Sequence, residues 1–129
     1  MNLLYIDDNA ENRSKVGDRL RPAQVDFTTI DHLTTATSFL METGEEFDLV
    51  IFRWDRNKLA QAKGLACACD AKEVDVLIIT DEQDEIEHIR EFIFESPLDV
   101  VDIVESSEPV EKVIFEHIQS ETKLSVEII

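Results

Sequence analysis

Short apolar runs, each followed by a stretch of helical period, are the strongest constraint on what this chain can fold into. Leu3-Leu4-Tyr5-Ile6, Leu49-Val50-Ile51-Phe52, Val76-Leu77-Ile78-Ile79 and Val100-Val101-Asp102-Ile103-Val104 have the length and aliphatic content of strands buried on both faces. The run Val25 to Ile30, Val-Asp-Phe-Thr-Thr-Ile, is more polar and reads as an edge strand with one wet face. Between these strands, Val16 and Leu20 lie four apart, and Leu33, Ala36 and Leu40 form one stripe. Residues 59–69 are rich in Ala and Leu, and residues 84–94 put Ile86, Ile89 and Ile93 on one face with acids on the other. Each spacing predicts an amphipathic helix. Ser106-Ser107 and Pro109 open a last helix carrying Val113, Ile114 and Ile118. Strict alternation of strand and helix predicts a parallel sheet covered on both faces.

With 129 residues, 43% of them apolar, the chain is sized for one domain that folds without metal or disulfide. No apolar run nears the roughly 18–20 residues that span a bilayer, and a signal-peptide pattern is missing at the N-terminus, so a cytoplasmic protein is expected. Cys67 and Cys69 are two apart in a helical stretch and are expected to be reduced, one pointing away from the other. Three Gly and three Pro imply short loops. The segment 122–129, Thr-Lys-Leu-Ser-Val-Glu-Ile-Ile, is expected to be a tail or the start of a linker after a domain over residues 1–121.

In an open α/β sheet, ligands bind outside the carboxyl ends of the strands. Those ends read Asp7-Asp8-Asn9, Arg53-Trp54-Asp55, Thr80-Asp81 and Glu105-Ser106, an acidic pair facing an arginine. Leu3 to Asn9 followed by Glu11-Asn12-Arg13, Phe47 to Phe52, and Val76 to Thr80 carry a resemblance to the receiver domain of two-component response regulators. The resemblance implies a flavodoxin-like three-layer sandwich whose five parallel strands run in the order 2-1-3-4-5. It also implies that Asp7 and Asp8 match the family's acidic pair, and Thr80 its switch hydroxyl. In the family that pair and an aspartate ending strand 3 hold Mg²⁺, and that aspartate accepts a phosphoryl group.

Here the acceptor position is Arg53. A guanidinium stays charged and is no nucleophile toward a phosphoryl donor, and it replaces one of the carboxylates that Mg²⁺ prefers. Without gaps, Ser106 falls where the family has a lysine, and Ile103 falls at its aromatic switch position. The pocket formed by Asp7, Asp8, Arg53, Thr80 and Ser106 is therefore expected to be degenerate, with no metal, cofactor or catalytic residue, and with Arg53 paired to Asp7 or Asp8. Two plainer readings stay open: Asp7-Asp8 as acids at a helix N-terminus, and Thr80 as a strand residue with a satisfied hydroxyl. Asp55, two residues beyond Arg53, is the alternative phosphoacceptor, and binding of a small effector in the altered pocket is a further alternative. His32, His88 and His117 have no ligand spacing, no glycine-rich phosphate loop occurs, and Trp54 is either a packing or a recognition residue.

The charge is lopsided. Residues 1–72 hold 12 acids and 9 bases, whereas residues 73–129 hold 17 acids and only Arg90, Lys112 and Lys123. A chain this acidic lacks the basic face that phosphate contacts need, which excludes nucleic-acid binding by this domain. The expected role is a phosphorylation-independent protein-interaction module in signal transduction or transcriptional regulation. Its partner is a basic protein or an output domain of the same polypeptide, met through Glu87, Arg90, Glu91, Glu105, Glu108 and Glu111 on helix 4, strand 5 and helix 5. Like charges meeting across a two-fold axis disfavour self-association through that face, so a monomer, or a dimer using another surface, is expected.

Overall fold

The computed structural model describes residues 1–98 and 101–121. Strands β1 (Asn2–Ile6), β2 (Asp26–Ile30), β3 (Leu49–Arg53), β4 (Asp75–Thr80) and β5 (Val101–Glu105) alternate with helices α1 (Ala10–Leu20), α2 (Leu33–Glu42), α3 (Leu59–Lys72), α4 (Ile86–Glu95) and α5 (Val110–Glu121). Every strand pairing is parallel, and the sheet order is β2-β1-β3-β4-β5. This is the expected flavodoxin-like sandwich. Val100 and the segment 122–129 lie outside the described residues.

The two-residue period of the strands sorts the core into two layers. Leu4, Ile6, Val50, Phe52, Val76 and Ile78 face α2, α3 and α4, where they meet Leu40, Leu65 and Phe92. Leu3, Tyr5, Leu49, Ile51, Leu77 and Ile79 face α1 and α5, where they meet Val16, Leu20 and Ile114. Gly17 lets α1 approach the sheet closely, since a Cβ there would stand 3.3 Å from the Phe27 ring. Cys67 is exposed and Cys69 buried, and burial pushes the Cys69 thiol up to about 12. Among the described residues no helix is long and apolar enough to cross a membrane.

Polar side chains set the helix starts. Asn9 Oδ1 accepts from the Asn12 amide at 3.0 Å to open α1, as N-cap residues do. Asp55 accepts from the Asn57 amide at 2.9 Å and caps a short 3₁₀ turn, Arg56–Lys58, that leads into α3. Ser106 Oγ accepts from the Glu108 amide at 3.1 Å ahead of α5. The amphipathic stretch 84–94 keeps its isoleucine face but brings one acid, Glu85, inside. A 3₁₀ turn, Gln83–Glu85, precedes α4; Glu85, four residues before the buried Ile89, is 6% exposed, and Phe94 on the opposite side of the helix is 92% exposed. Ile89 and Phe92 are buried, Ile93 packs half-buried against the same core and Ile86 is half-buried, so the expected isoleucine face forms with Phe92 beside it.

The sheet continues in single backbone bonds past its strands. The Asp7 amide donates to Ile30 O at 3.1 Å, the Trp54 amide to Ile79 O at 2.8 Å, and the Ser106 amide to Thr80 O at 3.0 Å. These bonds hold the four strand-end segments on one edge. The order reverses between β1 and β3, which opens a crevice at that edge.

α3 ends at Glu73, whose φ of 56° is left-handed. The Glu73 amide reaches Asp70 O at 3.1 Å and the Val74 amide reaches Cys69 O at 3.0 Å, the bonding of a helix terminus that favours glycine. Replacing Glu73 with Gly is expected to raise stability by about 0.5–1 kcal/mol. Urea unfolding of the two proteins side by side measures it.

Candidate functional site

The crevice is a cleft of about 450 Å³ lined by Asp7, Asp8, Arg53, Trp54, Asp55, Lys58, Thr80, Asp81 and Glu85 among others. Most sequence-predicted pocket residues therefore converge there. Ser106 lies beside a smaller hollow of about 200 Å³ that shares Arg53 and Asp81 with the first.

Asp7 is 6% exposed, and a carboxylate so far from water needs donors. Its Oδ2 accepts from the Tyr5 hydroxyl and from Asn12 Nδ2 at 2.9 Å, and its Oδ1 accepts from the Asn9 amide at 3.0 Å. Arg13 donates to the Asp7 carbonyl at 2.7 Å. Burial, reinforced by the Asp7 carboxylate, pushes the Tyr5 hydroxyl well above the usual tyrosine range, so Tyr5 is a proton-bearing donor at any ordinary pH. Asp8 is exposed, and Lys58 Nζ sits 3.0 Å from its Oδ2. The Lys58 hydrogen bond holds the Asp8 carboxyl below the usual range and raises the Lys58 ammonium in return.

The expected pairing of Arg53 with Asp7 or Asp8 is not what forms. Arg53 Nη2 instead reaches Asp81 Oδ2 at 3.8 Å. The reason is prior occupancy: Asp7 already accepts three donors and Asp8 is held by Lys58, whereas Asp81 directly follows β4, the strand that pairs with β3. Lys58 was not among the residues singled out from sequence. No motif marks it, because the 3₁₀ turn after Asp55 brings it back across the cleft. Thr80 is buried, and its Oγ1 accepts from the Glu82 amide at 3.2 Å, a local turn bond that favours the plainer reading of this residue. Asp55 is exposed on the cleft wall and spends one oxygen on its cap, and Ile103 packs half-buried on the α4 side of the sheet.

Trp54 proves to be a packing residue with a polar end. Its ring lies against Phe92 with centroids 5.4 Å apart, and its Nε1 donates to Glu85 Oε1 at 3.1 Å. Arg56 Nη2 pairs with Glu85 Oε2 at 3.2 Å, while Arg56 Nη1 donates to His88 Nε2 at 3.0 Å. The buried Glu85 thus ties the loop after β3 to the start of α4. Of the face residues, Glu87 pairs with Arg90 at 3.0 Å and Glu108 with Lys112 at 3.3 Å. Glu105 is exposed at the end of β5. Glu111 stands apart: it is half-buried, and its charge acts on Lys15 of α1 and on Tyr5, so it belongs to the α1–α5 side.

The Mg²⁺ that the resemblance implies does not fit these residues. One carboxylate already accepts three neutral donors, the other is held by an ammonium, and the third ligand position is a guanidinium. Among the described residues, Glu82, Asp84 and Glu85 bring carboxylate oxygens within 4.8 Å of one another, but both Glu85 oxygens are taken by Trp54 and Arg56.

No family model matches the sequence, and no curated protein matches it. The fold has clear neighbours among solved structures. A receiver domain of a Francisella response regulator superposes with a TM-score of 0.63 at 15% identity, over 89% of this chain and 91% of that one. The Vibrio cholerae chemotaxis protein CheY4 gives 0.68 at 14% identity, over 92% and 96%. A de novo designed Rossmann 2x3 protein also gives 0.68, at 15% identity, over 92% and 90%. The chain has the receiver-domain fold. A designed protein shares that architecture, so function rests on the side chains at the strand ends.

Two outcomes follow from the site. Tyr5→Phe removes a donor from a buried carboxylate and is expected to cost about 1.5–3 kcal/mol, read from denaturant unfolding near neutral pH. Asp8 has a depressed folded-state value, so its pairing with Lys58 contributes stability above the unfolded carboxyl value of about 3.9 and loses it as pH falls through the folded value. In Lys58→Met, a carboxyl-detected NMR titration should move Asp8 up toward the usual range, and the acid-side loss of stability should shrink. The pair is exposed, so that stability change is small.

Proposed function

We propose that this chain is a receiver domain of the response-regulator type that works without phosphorylation, as a protein-interaction module in signal transduction or transcriptional regulation. The observation that carries the reading is the pair of side-chain cations in the cleft. Arg53 holds the position of the acceptor carboxylate, and Lys58 neutralises Asp8. A phosphoryl donor meets no carboxylate at the end of β3, and a divalent metal meets two fixed positive charges. In this reading the domain catalyses nothing, carries no cofactor, and signals through an acidic surface on α4, β5 and the start of α5. Its partner is a basic protein or an output domain in the same polypeptide. Association with that partner is steered by charge and slows as salt rises, and the chain itself stays monomeric or pairs through another face.

The test is incubation with a small-molecule phosphodonor and Mg²⁺, followed by intact-mass measurement. No added phosphoryl group is expected. A stable gain of one phosphoryl that disappears in Asp55→Asn would make Asp55, which lines the same cleft, the acceptor. Calorimetry provides a second check. The unaltered protein should give no Mg²⁺ binding heat, Arg53→Asp should bind weakly, and Arg53→Asp combined with Lys58→Met should bind more tightly than either single variant. A thermal-shift screen in which a nucleotide or metabolite raised the melting temperature would favour an effector-binding cleft instead.

A further inference from the structure

α4 has settled contacts on its inner side and on one flank. Ile89 and Phe92 enter the core. On one flank His88 meets Arg56, and Glu95 meets Lys63 of α3 at 3.9 Å. At about 100° per residue, Glu87, Glu91 and Phe94 form the outward crest, and Arg90 beside them is tied to Glu87. Single exposed apolar residues are ordinary on protein surfaces, but Phe94 differs from the others here. It is 92% exposed, against 53% for Met41, 46% for Met1 and 38% for Leu59. It also lies in the most acidic part of the chain, where the two bases of this face, Arg90 and Lys112, each neutralise a neighbouring glutamate. The Glu85 bonds to Trp54 and Arg56 hold the helix start in place, so the crest is presented on a fixed element. That is the arrangement of a binding anchor: an exposed aromatic side chain on a surface whose one nearby cation, Arg90, is already paired with Glu87 and whose remaining charge is negative.

We propose that the α4 crest docks a basic, amphipathic partner segment, with Phe94 seated between the partner's aliphatic side chains and Glu87 and Glu91 meeting its Lys and Arg residues. A cation stacked on the ring adds to the fit. The proposal rests on the reading of the chain as an interaction module and names the residue on which that interaction turns.

The test is an amide NMR titration of the full chain, at physiological salt and without phosphodonor. The probes are a synthetic amphipathic Lys/Leu helix and a Lys/Ala peptide of equal charge. The Lys/Leu peptide should bind more tightly and shift amides centred on Glu87 to Glu95. Phe94→Ser should weaken it by ~10-fold or more, the effect of losing an interface anchor. Glu87→Gln with Glu91→Gln should weaken it and flatten its salt dependence, and Met41→Ser on α2 should leave it unchanged. Equal binding by Phe94→Ser, equal binding of the two peptides, no binding of either, or shifts centred on another element would overturn the proposal. The titration is then repeated with phosphodonor and Mg²⁺. Binding that needs Phe94 but develops only in that repeat would uphold the anchor and overturn phosphorylation independence, so the two ideas fail separately.

Discussion

Asp7 is a carboxylate held almost out of water at the edge of a parallel sheet, and the arrangement of the cleft follows from how that charge is accommodated. An uncompensated buried carboxylate would cost several kcal/mol, on the order of 3–5 when a partner is removed. Here the Tyr5 hydroxyl, the Asn9 amide and the Asn12 amide group supply the donors, all within five residues of Asp7 along the chain. Because those donors are neutral and local, the cations of the cleft are left for other acids: Lys58 for Asp8 and Arg53 for Asp81. A site built to receive a divalent ion would keep its carboxylate oxygens turned outward and open. In this one Asp7 and Asp8 are already engaged by side chains and backbone, and among the described residues no buried side-chain polar atom lacks a partner.

The same principle, a buried acid with two donors, organises the other side of the cleft. Glu85 accepts from Trp54 and pairs with Arg56, joining β3's loop to a helix start that has no side-chain cap bond. The energetic weight of this contact comes from its burial. The other ion pairs, such as Glu87 with Arg90, are exposed and contribute little. One consequence is a division of labour along α4: its inner and α3-facing sides serve the fold, and its crest is free to serve recognition. The acidic excess of the C-terminal half has no structural use in the core, which is why it collects on that outward surface.

The layered α/β architecture was legible because burial on both faces leaves a signature that does not depend on partners. Ile51 and Leu77 are apolar on either side of equally apolar neighbours, and only a central parallel strand tolerates that. The cation at the end of β3 was equally legible, since it depends on the identity of one residue, Arg53. Which acid the guanidinium would choose was not. Asp7, Asp8 and Asp81 all lie at strand ends, and the choice depends on the neutral donors that reach Asp7 and on the 3₁₀ turn that returns Lys58 to Asp8. Neither leaves a pattern in the sequence.

α4 shows the same boundary. A helical wheel begun at Asp84 turns Ile86, Ile89 and Ile93 to the core, and all three are buried or half-buried there. What the wheel does not show is that the acid on this face, Glu85, finds donors in Trp54 and Arg56 some thirty residues earlier along the chain. By itself, the sequence determined the periodicities, and hence the strands, the helices, the two-sided sheet and the acidic half. The tertiary structure alone decided the ion pairs that cross the cleft, Lys58 with Asp8 and Arg53 with Asp81, because their partners come from segments distant along the chain.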